Sequence, residues 1–402
     1  MHQETTLAIH GGRPVRETLL PYGRQALDEA DIAAVVEVLR SDWITTGPTI
    51  AEFESAIAGF VKARHAVSFS SGTAALHAAA FAAGLAPGDE AITTPLTFCA
   101  TANAVLYQGA TPIFADVDAA TLTIDPEEAA RRVTPRTKAL IPVDYAGHPA
   151  ALDAMLALAD RHGLVVIEDA AHALGAAYHG RPVGSISHLS VFSFHPVKHL
   201  TTGEGGMVTT DDEALAKRLR LFRSHGIDGD ARARESERTW YYEMTALGFN
   251  YRLTDIAAAL GLAQVPRLGA NLARRRAIAG RYHQAWARTP GLTLPTAAAD
   301  VEHAWHLYPI RIAPSIDRGA VFRALRAEGL GVNVHYVPVH LHPYYKDRFG
   351  DRNGAFPIAE TAYQQLISLP MFHGMTDADV TDVTTAVEKV MNHFTRERGV
   401  SR

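Results

Sequence analysis

Cysteine, lysine and long apolar runs are scarce in this chain of 402 residues. Its one cysteine, Cys99, cannot form a disulfide within the chain and excludes a metal site built from cysteines, which fits a reducing cytosol. No apolar run reaches the length of about 18 residues that a membrane helix needs, and residues 1–20 lack the pattern of a secretory signal. The formal charge of -5 provides no basic field for nucleic acid. We therefore predict a cytoplasmic location, with neither a membrane nor a nucleic acid as partner.

Short apolar runs alternate with segments of helical period from about residue 64, which is typical of a parallel sheet with crossover helices. The strand candidates are HAVSFSS, EAITTP, TPIFADVD, KALIPVDY, LVVIEDA, LSVFSF and GGMVTTD. After residue 265 an Arg-rich helix, Pro-containing loops and a C-terminal helix follow. We predict an N-terminal arm at 1–20, a large α/β domain with a mostly parallel seven-stranded sheet at 21–265, and a smaller α+β domain at 266–402.

Two helical segments carry specific expectations. The Ala-rich helix after the first strand is expected to close at Gly88, which follows Pro87. Arg274 to Arg276 lie in the helical segment NLARRRAIAGRYHQAWA, and clustered charges of this kind favour a solvated helix face. The alternative for the cluster is a site for a phosphate or an acidic partner.

Lys198 has neighbours unlike those of the other lysines. The others lie beside charged or polar residues, as surface lysines do; they are Lys62, Lys138, Lys217, Lys346 and Lys389. Lys198 follows the apolar strand LSVFSF, and strand ends are where open α/β sheets bind ligands. A lysine that forms an imine must spend part of its time uncharged, which burial and the nearby His195 and His199 would favour. Because a lone lysine is most often a surface charge, this prediction depends on its partners.

The first partner is Asp169, at the end of the strand LVVIED. A carboxylate opposite a pyridine nitrogen keeps that nitrogen protonated, so that the ring withdraws electrons from a substrate carbon. The alternative for Asp169 is a helix N-cap after a strand. Glu168 alternates to the other side of the strand and is expected to point elsewhere.

The second partner is the strand-turn-helix around Ser70 to Thr73, where free backbone N–H groups would seat a phosphate and Gly72 would allow close approach. Ser193 would add a hydroxyl to the same phosphate, and Phe98 is placed to lie flat on an aromatic ring. The alternatives are an ordinary capped helix and a core aromatic.

Five blocks of the chain, in order, resemble the DegT/DnrJ/StrS-type sugar aminotransferases. The blocks are SSGTAALH, TTPLTFCATANAV, IEDAAHALGA, SFHPVKHLTTGEGGMVTTDD and GFNYRLTDIAAALGLAQ, and the resemblance runs from about residue 20 to about residue 390. It implies an aspartate-aminotransferase-like fold (PLP-dependent transferase fold type I) with pyridoxal 5'-phosphate as cofactor. It also implies that Lys198 holds the cofactor as a Schiff base, with Asp169 on the ring nitrogen and His172 near the phenolic oxygen.

The resemblance implies further contacts with the cofactor phosphate. Gly72, Thr73 and Ser193 would hold the phosphate within one subunit, and Asn250 would reach it from the neighbouring subunit. Each active site would then lie across the interface of a homodimer, and a monomer would be poorly active.

Within the family, four segments look most like transaminases that act on UDP-4-keto-6-deoxy-N-acetylhexosamines. They are LPYGRQ, SDWITTGP, SFHPVKH and NVHYVPVHLHPYY. This likeness implies a UDP-4-amino-4,6-dideoxy-N-acetyl-β-L-altrosamine transaminase of pseudaminic acid synthesis, with L-glutamate as the donor. The implied substrate contacts are Tyr22, Asp42, Trp43, Ile44, Thr45, Ser193, Asn250, Asn333, Val334, His335 and Tyr336. A core aromatic is the alternative for Trp43, and a turn cap is the alternative for Asp42.

Two other functions stay open at this point. The acceptor is alternatively another nucleotide keto sugar, dTDP- or GDP-linked, or a keto-cyclitol, and the second alternative is a non-catalytic regulatory protein of the same fold. A sugar dehydratase of this fold by family likeness carries histidine where Lys198 stands, so Lys198 argues against that function. His335, His340 and His342 would share a strand face, but no carboxylate or cysteine accompanies them at ligand spacing, so we predict no metal.

Overall fold

The computed structural model describes residues 6–228 and 239–396, so that residues 1–5 of the predicted arm and 397–402 of the predicted C-terminal domain lie outside the described residues. The strands are β1 (His65–Phe69), β2 (Glu90–Thr93), β3 (Thr111–Phe114), β4 (Thr137–Ile141), β5 (Val165–Asp169), β6 (Ala177–Tyr178), β7 (Arg181–Pro182), β8 (Leu189–Ser193), β9 (Gly206–Thr210), β10 (Ile227–Asp228), β11 (Glu243–Met244), β12 (Leu292–Thr293), β13 (Val301–Glu302), β14 (Tyr308–Ile312) and β15 (Leu366–Leu369). The α-helices are α1 (Glu29–Arg40), α2 (Pro48–Val61), α3 (Gly72–Ala82), α4 (Ala100–Tyr107), α5 (Pro126–Arg131), α6 (Leu152–His162), α7 (Glu213–Arg223), α8 (Asp255–Gln264), α9 (Leu268–Trp286), α10 (Arg318–Ala327), α11 (Pro343–Phe349), α12 (Pro357–Gln365) and α13 (Asp377–Arg396). Short 3-10 helices lie at Ala8–His10, Tyr145–Gly147, Val265–Arg267 and Val339–Leu341.

The seven predicted strands form one sheet, in the order β1-β9-β8-β5-β4-β2-β3. Strand β9 runs antiparallel to β1 and β8, and the other neighbouring strands are parallel to one another. The predicted α/β class with a mostly parallel seven-stranded sheet is confirmed. Because parallel strands end at the same edge, Phe69, Asp169 and Ser193 come together there, at the ends of β1, β5 and β8.

Helices cover both faces of this sheet, which is why its strands are apolar along most of their length. Helices α3 and α7 pack on one face through Leu76 and Phe222, and α6 packs on the other through Met155 and Leu158. None of the helices within residues 6–228 and 239–396 is both long and apolar enough to cross a membrane.

Helix α3 is shorter than predicted. It ends at Ala82, and Gly84 then adopts a left-handed backbone with φ of 81°. Leu85 N–H donates back to Ala80 O at 3.2 Å, which closes the helix in the manner of a Schellman motif. The predicted end at Gly88 is therefore wrong, because Gly84 provides the left-handed residue first.

The C-terminal part contains a smaller antiparallel sheet with the order β12-β14-β15. Helices α9, α10 and α13 pack with this sheet in one hydrophobic cluster, which also contains Leu7 and Leu20 from the start of the chain. The N-terminal segment thus contributes to the core of the C-terminal part. The domain boundaries at residues 20 and 265 stay predictions.

Two expectations about charged side chains are wrong. Arg275 in α9 is fully buried, whereas Arg274 and Arg276 form ion pairs nearer the surface. Consecutive residues of a helix lie about 100° apart around its axis, so the middle residue of the cluster faces inward. Lys389 is likewise not an ordinary surface lysine, because its side chain is only 10% exposed and its amine lies 2.9 Å from the buried carboxylate of Glu328.

Candidate active site

A cavity of about 560 Å³ opens at the carboxyl edge of the main sheet. Its walls include the ends of β5 and β8, the start of α3 and the loop at residues 333–336. The predicted site residues that line it are Tyr22, Gly72, Thr73, Phe98, Asp169, His172, Ser193, Lys198, Asn333, Val334, His335 and Tyr336. Most of the residues singled out from the sequence therefore meet in one place.

Lys198 lies in the turn after β8, where its backbone N–H donates to His195 O at 2.9 Å. The cavity walls enclose its amine, and this burial lowers the pKa of Lys198 to about 7. The carboxylate of Asp169 opposes the shift, and the charge of Arg275 adds to it. An appreciable fraction of the amine is therefore uncharged at neutral pH, as imine formation requires.

Asp169 closes β5 with a buried carboxylate that two donors hold. The Thr101 hydroxyl donates to Oδ2 at 2.7 Å and the Ala171 N–H donates to Oδ1 at 3.2 Å. Burial raises the pKa of Asp169, while these donors and the amine of Lys198 oppose the rise. Turns rather than a helix follow Asp169, so the carboxylate is not a helix N-cap. Glu168 points away from the cavity, and its Oε2 accepts a hydrogen bond from the Ser190 hydroxyl.

His172 sits between two other rings at the cavity wall. Its Nε2 lies 3.0 Å from the Tyr336 hydroxyl, and its ring centroid lies 4.4 Å from that of His306. Burial, together with Lys198 and neighbouring imidazoles, holds the pKa of His172 well below its usual range. Burial also raises the pKa of Tyr336. His172 is therefore neutral and Tyr336 keeps its proton, and one hydrogen bond joins the Tyr336 hydroxyl to Nε2 of His172.

The turn between β1 and α3 has the features of a phosphate seat. The Ser71 hydroxyl accepts from Ala74 N–H at 3.1 Å, and the N–H groups of Gly72 and Thr73, at the first two positions of α3, have no acceptor within the helix. A Cβ on Gly72 would lie 3.0 Å from Cβ of Ser193. The helix start and the end of β8 are thus in close contact, and the capping role of Ser71 coexists with free donors.

The loop at residues 333–336 forms the opposite wall. Asn333 pairs with Ser368 of β15 in an antiparallel bridge, and His335 Nδ1 lies 2.9 Å from the hydroxyl of Ser368. These contacts attach the loop to the smaller sheet. Phe98 is 57% exposed at the cavity mouth, with its ring centroid 5.9 Å from that of Tyr336, and so is not a core aromatic.

Five predicted contacts are not among the residues that line the cavity of their own chain. The segment 42–45 is exposed, as is Asn250. The carbonyl of Ile44 accepts from Asp255 N–H at 3.1 Å, and Thr45 pairs with Thr254. Segment 42–45 therefore contacts the chain at the start of α8, and Asn250 lies a few residues earlier in the same stretch of chain. Trp43 is 40% exposed and so is not a core residue.

No sequence pattern pointed to two further residues of the cavity, Thr101 and His306. Thr101 lies in α4 and reaches Asp169 across 68 positions of sequence. The block TTPLTFCATANAV contains Thr101, but nothing in the block distinguishes its several threonines. His306 comes from the segment before β14, and only the fold brings its ring to His172.

The histidines weighed as metal ligands have other partners. His335 contacts Ser368, His340 Nε2 lies 3.0 Å from Glu360 Oε1, and His342 precedes the first residue of α11. Across the described ranges 6–228 and 239–396 there is no group of three or more His, Cys, Asp or Glu side chains placed to hold a metal.

The residues of the cavity fit the cofactor that the sequence resemblance implies. A lysine amine of lowered pKa suits an aldehyde. Among the described residues, the Lys198 amine is the one positive charge that acts on the buried Asp169 carboxylate, so a protonated ring nitrogen would suit that carboxylate. Free N–H groups at the start of α3 and the hydroxyl of Ser193 suit a phosphate.

Comparison with known proteins gives concordant results. The model of the DegT/DnrJ/EryC1/StrS aminotransferase family matches residues 25–388. The spore coat polysaccharide biosynthesis protein SpsC of Bacillus subtilis (strain 168) is 45% identical over 381 residues, which are 94% of this chain and 98% of that protein.

Two solved structures are similar over nearly their whole length. Helicobacter pylori PseC, an aminotransferase involved in the biosynthesis of pseudoaminic acid, is 33% identical with a TM-score of 0.88, covering 94% of this chain and 100% of that chain. Spr1654 from Streptococcus pneumoniae, in its PLP-form, is 30% identical with a TM-score of 0.88, covering 94% of this chain and 99% of that chain, and a PMP-form also matches. These likenesses confirm the predicted family and the aspartate-aminotransferase-like fold.

Proposed function

The chain belongs to the DegT/DnrJ/EryC1/StrS aminotransferase family, and on that premise we propose its substrates and the roles of its residues. It is a sugar aminotransferase that depends on pyridoxal 5'-phosphate. We propose that it transfers the amino group of L-glutamate to the 4-keto position of a UDP-linked 6-deoxy-N-acetylhexosamine, as a UDP-4-amino-4,6-dideoxy-N-acetyl-β-L-altrosamine transaminase does. The likeness to PseC and the sequence segments that resemble such transaminases support this acceptor.

One observation carries the proposal: a lysine amine whose pKa is lowered to about 7 lies in the same cavity as a buried, donor-held carboxylate. Lys198 would hold the cofactor through its aldehyde carbon, and Asp169 would hold a proton on the ring nitrogen. Gly72, Thr73 and Ser193 would bind the phosphate, His172 would lie near the phenolic oxygen, and Phe98 would lie on the ring. When bound, pyridoxal phosphate supplies an electron-withdrawing ring that stabilises negative charge on a substrate carbon.

Lys198 is also the residue that we propose for proton transfer. Its Nζ takes the proton from the α-carbon of L-glutamate in the first half-reaction, and it delivers a proton to C4 of the sugar in the second. The lowered pKa leaves the amine unprotonated often enough at neutral pH to act as a base. Because one cavity serves both substrates in turn, the kinetics are expected to be ping-pong.

A second subunit would complete each site. Asn250 and the segment 42–45 are exposed and do not line the cavity of their own chain, which fits contacts made to a neighbouring cavity. Apolar side chains near Asn250 in the chain are also exposed, with Trp240 at 88% and Leu247 at 75%. Exposed apolar residues grouped in this way are typical of protein interfaces. The proposed substrate contacts within one chain are Tyr22, Ser193, Asn333, Val334, His335 and Tyr336.

The cofactor assignment is tested by reducing the purified enzyme with borohydride and locating the pyridoxyl group by peptide mass. We expect it on Lys198, and we expect Lys198→Ala to abolish turnover. The control Lys217→Ala, at an exposed position of α7, should retain the label at Lys198. A label on any other lysine, or repeated turnover by Lys198→Ala, would contradict the assignment.

The acceptor is tested with L-glutamate and a panel of UDP-, dTDP- and GDP-linked 4-keto sugars and a keto-cyclitol, with product mass as the readout. We expect amino-for-keto exchange with the UDP-linked N-acetylhexosamine. Exchange with a dTDP- or GDP-linked sugar alone, or with the keto-cyclitol alone, would select the corresponding alternative acceptor. Glutamine in place of glutamate in parallel reactions identifies the donor.

A further inference from the structure

Arg275 is a fully buried cation, and no acidic side chain within the described ranges forms an ion pair with it. Its Nη1 donates to the carbonyl oxygens of Met371 at 2.9 Å, Trp305 at 3.1 Å and His306 at 3.3 Å, whereas Nε and Nη2 have no hydrogen-bond partner among the residues that the structure describes. Burial lowers the pKa of Arg275 to about 10, so the side chain remains charged at neutral pH. A buried charge without a counter-ion opposes folding, which indicates that Arg275 has another use.

Two of the carbonyls that Arg275 holds, those of Trp305 and His306, belong to a strained stretch beside the cavity. Trp305 has φ of 49°, a left-handed conformation that bulky residues rarely adopt. Gly147 packs closely against the same stretch. A Cβ at this position would lie only 3.0 Å from Trp305 N and 3.1 Å from His306 N. The His306 ring lines the cavity and lies 4.4 Å from the His172 ring. Arg275 therefore fixes the backbone that places His306 against His172.

Several titratable groups lie near the Lys198 amine. The charges of Asp169 and Arg275 act on the pKa of Lys198, and the charge of Lys198 in turn lowers the pKa of each nearby imidazole, namely His172, His199, His306 and His335. Among these side chains, Asp169 is the carboxylic acid, and Arg275 is the one that stays positively charged at neutral pH. Burial is the main reason that the pKa of His199 is well below its usual range, and the charge of Arg275 is the next cause.

We propose that Arg275, although it does not line the cavity, is a positioning residue of the transamination. Through the carbonyls of Trp305 and His306 it fixes the wall that carries the His306 ring, and its charge disfavours a second positive charge on Lys198. This inference rests on the proposed role of Lys198. Arg275 does not line the cavity itself and acts on it through the backbone of His306, so the inference predicts effects at a distance.

Two variants separate the two effects of Arg275. Arg275→Gln removes the charge but retains a side-chain donor, and Arg275→Lys retains the charge but loses the planar guanidinium. The first readout is the pH midpoint of the visible absorbance of the cofactor-bound enzyme without donor. The second is the pH midpoint of Lys198 acetylation in the cofactor-free full-length chain, measured by peptide mass.

We expect both midpoints to rise by about half a pH unit or more in Arg275→Gln and to stay near wild type in Arg275→Lys. Because both variants loosen the wall around His306, kcat with glutamate is expected to fall about tenfold in both, with a smaller change in KM. Arg276→Gln is the control, because Arg276 lies on the same helix and pairs with Glu302 at the surface. It should change none of these quantities.

Equal midpoints in Arg275→Gln and Arg275→Lys, or wild-type midpoint and kcat in Arg275→Gln, would overturn the inference. If Arg275→Gln does not fold, Arg275→Met serves as the neutral variant. If neither variant folds, the pH midpoint of Lys198 acetylation is measured in the wild-type protein instead. A midpoint near the ordinary lysine value of about 10.4 would also overturn the inference. Failure of the proposed function gives a different result, namely a borohydride label that is absent from Lys198.

Discussion

Thr101 donates the shorter of the two hydrogen bonds that hold the Asp169 carboxylate, at 2.7 Å. Its hydroxyl also opposes the rise in the pKa of Asp169 that burial causes. We predict that Thr101→Val, which removes the donor and retains the shape, lowers kcat about tenfold, because a hydrogen bond to a charged group contributes roughly 1.5 to 3 kcal/mol. The measurement is steady-state kinetics with glutamate and the visible spectrum of the bound cofactor.

Thr97→Val is the matched control for this prediction. The Thr97 hydroxyl lies 2.8 Å from that of Thr101, and no hydrogen bond joins it to Asp169. The control should therefore retain most of the activity. Equal kcat values for the two variants would show that the hydroxyl of Thr101 has no part in holding Asp169.

Individual site residues were predictable where an unusual residue type stood in an unusual context. A lysine after an apolar strand and an aspartate at the end of another strand led to the prediction that Lys198 and Asp169 share a site, and both line the cavity. Thr101 had no such context, since hydroxyl residues occur everywhere and its partner lies 68 positions away. The burial of Arg275 was not predicted, because only the charge of the arginine cluster was considered and not the direction in which Arg275 points around the helix axis.

At the scale of elements, the junction of β1 and α3 depends on the missing side chain of Gly72. A Cβ at this position would lie 3.0 Å from Cβ and 3.2 Å from Oγ of Ser193, so an added methyl group must displace the serine hydroxyl or the helix start. We predict that Gly72→Ala weakens pyridoxal phosphate binding about tenfold, which corresponds to about 1.4 kcal/mol. Equilibrium dialysis of the protein against the cofactor measures this change.

Gly59→Ala is the control for the Gly72 variant. Gly59 lies within helix α2, and a Cβ there would meet no atom within 4 Å. It should bind the cofactor as the wild type does and stabilise the helix slightly. Undiminished cofactor affinity in Gly72→Ala would contradict the proposed phosphate seat.

The elements of the main sheet were predictable because a parallel sheet with two covered faces requires continuous apolar runs. All seven predicted runs are strands of one sheet. Helix ends were less predictable, as the early end of α3 at Ala82 shows. Strands β6 and β7 are two residues long each, which is too short to show the alternation of apolar and polar residues that predicts a strand. Their pairing depends on the turn that joins them and on contact with β13.

At the scale of the whole molecule, the buried carboxyl of Asp144 is expected to make stability depend on pH. Burial raises the pKa of Asp144 well above its usual range, and the negative charge of Glu168 raises it further. A carboxyl whose pKa is higher in the folded chain than in the unfolded chain stabilises the fold at low pH, and this stabilisation is lost as the pH rises through the folded-state pKa. Stability should therefore decline toward alkaline pH.

Asp144→Asn tests this dependence, because asparagine stays neutral at every pH. In the wild type, Asp144 Oδ1 accepts from Ala150 N–H at 2.9 Å, and the asparagine oxygen can accept the same hydrogen bond. We predict that the wild-type unfolding temperature falls as the pH rises above the unfolded-state aspartate pKa of about 3.9, and that this fall is a few degrees smaller in Asp144→Asn. Glu168→Gln should act in the same direction by removing the neighbouring charge. Thermal melts that run parallel for all three proteins would contradict the prediction.

The proposed completion of each site by a partner subunit is tested with heterodimers purified through two affinity tags. If Asn250 serves the partner's cavity, a heterodimer of Lys198→Ala and Asn250→Ala subunits contains one site with both residues intact. We therefore expect about half the activity of the wild-type dimer, although each variant homodimer is poorly active. A heterodimer of Lys198→Ala and Asp169→Ala subunits is the control and should be inactive, because both lesions affect the cavity of their own chain.

The reverse arrangement makes the opposite prediction for a second heterodimer. When a subunit carrying both Lys198→Ala and Asn250→Ala is paired with a wild-type subunit, each shared site lacks one of the two residues, and the heterodimer should be poorly active. Were Asn250 to act within its own chain, the wild-type subunit would retain one complete site and about half the activity. The exposure of Asn250 and its absence from the walls of its own cavity favour the first outcome.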